Sequence, residues 1–131
     1  MILDEQTSAF LKEIAKRGSV LGLDAMQTLM QYLGNPQDKL QIIHVAGTNG
    51  KGSCCCMLQK ILCKQGYDVG LYTSPAVFCE EERFRINDNF ITEDAYNRYM
   101  HRMEDAWNEV VQKTGQRPTI FEVETALAYL Y

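Results

Sequence analysis

Apolar residues recur at helical spacing near the start of the chain. Phe10, Leu11 and Ile14 predict a first helix that Gly18 ends. A second helix is expected after Asp24, read as its N-cap. Met26, Leu29, Met30 and Leu33 form its buried stripe, and Gly34 and Pro36 stop it. The pattern then changes. Leu40–Ala46 is short and nearly continuously apolar, as expected of a strand buried on both faces of a parallel sheet. A glycine-rich turn follows. Helical spacing returns at Cys54, Met57, Leu58, Ile61 and Leu62 and closes at Gly66. Val69–Thr73 is a second expected strand. Together these pieces predict one right-handed βαβ unit with parallel strands. Ser74 to Glu82 reads as a loop. Phe84 and Ile86, then Phe90 and Ile91, flank Asn87-Asp88-Asn89 as a hairpin. Thr92 is expected to cap a long helix with Tyr96, Tyr99, Met100, Met103, Trp107, Val110 and Val111 inward, ending at Gly115 and Pro118. A last helix starts near Thr119, with Val123, Ala126, Leu127 and Leu130 inward. The expected fold class is therefore α/β, a P-loop-type parallel sheet with flanking helices.

The bulk numbers narrow the function classes. The chain has 131 residues, 46% hydrophobic and 23% charged, with a formal net charge of -4. These values suit a soluble globular domain. No dense Lys/Arg cluster favours nucleic acid. No apolar run approaches the roughly 18 residues of a membrane span, and the N-terminus lacks the basic start and apolar core of a signal peptide. Of the five cysteines, Cys54, Cys55 and Cys56 are consecutive and no Cys-x-x-Cys pair occurs. Neither a disulfide framework nor a zinc site is expected, and the thiols read as reduced in a cytoplasmic protein.

The chemistry concentrates at Gly47-Thr48-Asn49-Gly50-Lys51-Gly52-Ser53, between an expected strand and an expected helix. Main-chain N–H groups there can cradle phosphates, the helix N-terminus adds positive potential, and Lys51 supplies a mobile cation. The pattern G-x-x-x-x-G-K-[ST] is only partly met. Val45 stands at its first glycine, and Gly52 follows the lysine where Ser or Thr is usual. A Mg²⁺-binding hydroxyl must then come from elsewhere. Ser74, at the end of the second expected strand, is the first candidate metal ligand, and Ser53 the second.

With those residues in view, the chain resembles the folylpolyglutamate synthase/dihydrofolate synthase branch of the Mur ligase family. His44–Ser53, Gly66–Pro75, Glu82–Asn87 and Thr119–Tyr131 follow one another at that branch's spacing, and Leu21-Gly22-Leu23 also fits. The resemblance implies an N-terminal part of a Mur-ligase-like ATP-binding domain spanning residues 1–131, without the C-terminal glutamate-binding domain. It implies an ATP- and Mg²⁺-dependent ligase that adds L-glutamate to dihydropteroate or a reduced folate through an acyl phosphate. Lys51 takes the catalytic role and Gly47–Ser53 hold ATP. Ser74 holds the metal. Val20, Leu21 and Gly22, with Thr119, Ile120, Phe121 and Glu122, touch the pterin. The loop Ser74 to Arg83 matches a mobile loop near the folate. The full-length family member is expected to be a monomer with small-molecule partners only. One departure is Ala76, where the family often has histidine. Phosphoryl transfer needs charge neutralisation from several sides, so this chain alone is expected to bind nucleotide weakly and to have no ligase activity. A different Mur-type ligase of peptidoglycan synthesis, or a non-enzymatic nucleotide-binding remnant, are the alternatives. A peptidoglycan-type ligase more often carries Thr-Thr after Gly-Lys, where this chain has Gly-Ser.

Overall fold

The computed structural model describes residues 1–16 and 22–131. Gly18, expected to end the first helix, lies outside them. The described chain divides into two compact units. One comprises Met1 and Gln41–Thr92, the other Ile2–Leu40 and Glu93–Tyr131.

The second unit is helical: α1 (Glu5–Ala15), α2 (Asp24–Tyr32), α4 (Glu93–Thr114) and α5 (Ile120–Leu130), with a 3-10 turn at Pro36–Lys39. The apolar stripes meet as expected. Phe10, Ile14, Leu29, Met30, Met100, Met103, Val110, Val123 and Leu127 are buried. Burying each such side chain is worth about 1.5–3 kcal/mol, and these positions hold the helices together. Tyr99 and Val111 are only half-buried. Asp4 caps α1, its Oδ1 accepting from Thr7 N at 2.7 Å. Asp24 is not a cap but the first helical residue. Leu23 holds the cap position and makes no side-chain bond there. Gly34 takes φ 82 and Asn35 φ 50, the left-handed backbone that ends α2.

The first unit departs from the expectation. Its sheet has three strands in the order β1 (Gly70–Tyr72), β2 (Phe84–Ile86), β3 (Asn89–Phe90), all antiparallel. The P-loop-type parallel sheet is not formed among the described residues. Leu40–Ala46 pairs with no strand, and Leu40, Ile42 and Ile43 are 49%, 51% and 63% exposed. A strand exists only through a neighbour's backbone groups, and an apolar run cannot name its partner. The strands that do pair are close in sequence. The 84–86/89–90 hairpin was expected; the pairing of β1 with β2 was not.

Helix α3 (Lys51–Lys64) also differs from its expected packing. Cys54, Met57 and Ile61 are exposed, and the buried residue is Gln59. Gln59 Nε2 donates to Asn87 O at 2.6 Å. Asn87 sits at φ 56 in the hairpin turn, and its Oδ1 accepts from Val69 N at 2.9 Å. A buried amide thus ties α3 to the hairpin where the apolar periodicity pointed elsewhere. All five cysteines are free. No helix among the described residues is long and apolar enough to cross a membrane.

Candidate functional sites in the two units

The phosphate-loop residues lie at the entrance to α3. Gly47 takes φ 147 and Gly50 φ 76, conformations that favour glycine. Gly50 is the N-cap, so Lys51 is the first helical residue, with Gly52 and Ser53 next. The first amides of a helix have no intrahelical acceptor. Here no side chain caps them and no acidic residue stands in the first turn. Neither the cap nor the first turn of α3 therefore compensates its positive end. The Lys51 stem folds back over the loop, its Cγ 4.0 Å from where a Cβ on Gly47 would stand. Lys51 Nζ donates to Thr48 O at 3.3 Å, a long bond that a phosphate oxygen can replace. Thr48, Asn49, Gly52 and Ser53 are exposed beside it. This arrangement can accept a polyphosphate.

Ser74 is exposed just past β1, before a cis Ser74–Pro75 bond. Helix α3 packs on β1, so both candidate elements belong to one unit. Among the described residues no group of His, Cys, Asp or Glu could hold a metal ion. The described residues therefore offer Mg²⁺ a hydroxyl alone, short of the one or two carboxylates that usually join nucleotide oxygens and waters around this cation.

The loop after Ser74 is tied internally. Glu82 is buried, and its Oε1 accepts from the amides of Val77 and Phe78, the latter at 3.0 Å. Arg83 donates to Glu80 Oε2 at 3.0 Å and to Tyr72 Oη at 3.2 Å. The Met1 ammonium meets Glu81 Oε1 at 2.7 Å. The two amide bonds, foremost that from Val77, hold the Glu82 carboxyl below its ordinary pKa. A depressed folded pKa means the tie is complete above the ordinary carboxylate value, about 4.3, and is lost as pH falls through the lowered value. Amide shifts of Val77 and Phe78 should hold steady from neutral pH to about 5 and move together below the ordinary value. Glu82→Gln should remove that movement. Phe78, 92% exposed, stands at the loop's tip.

In the other unit, Gly22, Thr119, Phe121 and Glu122 come together around one open cavity of about 540 Å³. Ile120, also expected to touch the pterin, does not line it. Val20 and Leu21 lie outside the described residues. Pro118 is anchored by Trp107, whose Nε1 donates to Pro118 O at 2.9 Å. Thr119 then caps α5 in a reciprocal box. Glu122 N donates to Thr119 Oγ1 at 3.3 Å, and Thr119 N to Glu122 Oε2 at 2.7 Å. The box fixes Glu122 and turns Phe121 outward, 57% exposed. Leu23, Met26 and Met30 supply an apolar wall, and Tyr129 a second ring. A flat ring system with a polar edge suits such a lining.

Met26, Met30, Gln31, Gln37 and Tyr129 were not anticipated in a site. The two methionines read as core because their spacing is also that of a buried stripe. Gln37 carries no sequence signal for a site. Its Nε2 donates weakly to Asn35 Oδ1 at 3.3 Å, while its Oε1 is screened from solvent and has no donor among the described residues. Leaving an acceptor so costs about 1–3 kcal/mol.

No family model matches the chain. It is 38% identical over 116 residues to the dihydrofolate synthase/folylpolyglutamate synthase of Bacillus subtilis, covering 88% of this chain and 27% of that protein. Its fold is similar to the folylpolyglutamate synthetase from Lactobacillus casei, with a TM-score of 0.86 and 36% identity. That match covers 96% of this chain and 32% of the other. A solved FPGS–AMPPCP–folate complex matches with a TM-score of 0.82 and 34% identity, over 96% of this chain and 31% of that one. The chain thus spans about a third or less of the proteins it matches. In sequence and in fold, it belongs with the N-terminal part of the folylpolyglutamate and dihydrofolate synthases.

Proposed function

We propose that this chain supplies the nucleotide-phosphate loop and the pterin pocket of an ATP-dependent ligase that adds L-glutamate to dihydropteroate or a reduced folate. The observation that carries the reading is the cavity. Gly22 lies far in the chain from Thr119, Phe121 and Glu122, yet all four share one cavity of suitable lining, and they fall in segments that match the family's pterin-contacting ones. Similarity to a complex containing AMPPCP and folate supports both ligands.

In the reaction the substrate carboxylate attacks the γ-phosphorus of ATP, giving an acyl phosphate and ADP. The amino group of glutamate then attacks the acyl carbon and expels phosphate, leaving an amide. Within this chain, the amides of Gly50–Ser53 and the Lys51 ammonium take up charge on the transferring phosphoryl group. Mg²⁺, held through Ser74 and the nucleotide, would neutralise the remaining oxygens. Phe121, Met26 and Met30 orient the ring of the acceptor and exclude water from one face. The glutamate site belongs to the rest of the enzyme, and the chain alone is proposed to be inactive.

The test is a titration with 7,8-dihydropteroate followed by ligand fluorescence. Saturable binding is expected, and Phe121→Ala should weaken it about tenfold through the lost ring contact. Absence of binding, or an unchanged affinity in the variant, would contradict the reading.

A further inference from the structure

One residue lining the cavity, outside the segments matched to the pterin, carries an acceptor without a described donor. Gln37 lies in the 3-10 turn after Pro36, and that turn packs on α5. Its backbone is fixed from both sides. Asn35 N donates to Met30 O at 2.9 Å in the preceding turn, and Leu40 N donates to Gln37 O at 3.2 Å from the following side. Among the described residues, the carboxamide is held only by the 3.3 Å bond to Asn35, and its Oε1 has no donor. The nearby polar groups are otherwise engaged. Glu122 Oε2 accepts from Thr119 N at 2.7 Å and from Thr119 Oγ1 at 2.9 Å. Thr125 Oγ1 donates to Phe121 O at 2.7 Å. Gln27 and Gln31 are exposed and reach water.

We infer that Gln37 is a specificity-determining residue of this cavity. A turn about its last side-chain bond presents Oε1 to the donor edge of the bound heterocycle, the 2-amino group of a fused pyrimidinone. A ligand donor would satisfy an oxygen that is screened from water and has no donor among the described residues, so ligands bearing that amino group gain and those lacking it do not. The inference rests on the pterin reading of the cavity and adds the group that discriminates.

The experiment uses the 131-residue chain and two probes, pterin-6-carboxylate and its 2-desamino analogue, in equilibrium titrations. Wild type should prefer the amino compound by about tenfold. Gln37→Leu should bind both alike, with thermal unfolding recorded to show that it folds. Gln37→Glu keeps an acceptor and should keep the preference. Preference persisting in Gln37→Leu overturns the inference while leaving the pterin reading intact. So does a preference that survives there and vanishes in Glu122→Gln. If neither probe binds wild type, the pterin reading fails and this inference with it.

Discussion

Lys51→Ala is expected to abolish the rise in unfolding temperature that Mg·ATP gives the wild-type chain. A ligand that binds only the folded state stabilises it by RT ln(1 + [L]/Kd), about 2.7 kcal/mol at a hundredfold excess over Kd. In a unit of this size each kcal/mol moves the midpoint by roughly 4–8 °C. Lys51 is the loop's one side-chain cation, and its present bond, 3.3 Å to Thr48 O, is weak enough to exchange for a phosphate. The helix amides remain in the variant, so residual binding of inorganic phosphate should persist while the preference for triphosphate over monophosphate is lost. The unliganded variant should unfold near the wild-type temperature, because the lysine side chain makes no other bond among the described residues. Equal responses of both proteins to Mg·ATP, read by differential scanning fluorimetry, would place the nucleotide elsewhere.

Trp107→Ala should destabilise the helical unit by about 3–5 kcal/mol, the range for removing a large buried ring. The indole is 8% exposed and meets Phe10 edge-on with centroids 6.0 Å apart. Its Nε1–H holds Pro118 O at 2.9 Å, the residue before the Thr119 cap. Losing it frees the start of α5, so Thr119, Phe121 and Glu122 should lose their common position and pterin binding should fall with stability. Trp107→Phe keeps most of the packing and orphans the Pro118 carbonyl, which should cost about 1–3 kcal/mol. Urea unfolding with dihydropteroate titration checks both. A wild-type midpoint in Trp107→Ala would mean that α5 is held by other means.

The helices were legible because their information is local. Met100, Met103, Trp107 and Val110 repeat at a spacing that a helix alone turns to one side, and each is buried. The Thr119–Glu122 box was within reach of the same reading. The sheet was not. Ile42 and Ile43 have the composition of a central strand, yet a strand's identity lies in what pairs with it, and nothing described here pairs with them. In α3 the apolar period pointed to Met57 and Ile61, whereas Gln59 is buried because Asn87 O offers it a bond at 2.6 Å. The turn into α3 was legible from its glycines, since few residues other than glycine tolerate φ 76 at Gly50 or 147 at Gly47. In the proposed pterin pocket, Gly22, Thr119, Phe121 and Glu122 came from the resemblance. Others, Met26, Met30, Gln37 and Tyr129 among them, emerged only when α2, the 3-10 turn and α5 were brought together.

The central claim is that one chain carries two separate sites, one for polyphosphate and one for pterin. The most direct measurement is a backbone amide NMR map with each ligand added alone. Mg·ATP should shift Gly47–Ser53 and Thr73–Ser74, while dihydropteroate should shift Gly22, Gln37 and Thr119–Thr125. Shifts from both ligands in the same residues, or none at Gly50–Ser53 with saturating Mg·ATP, would contradict the account.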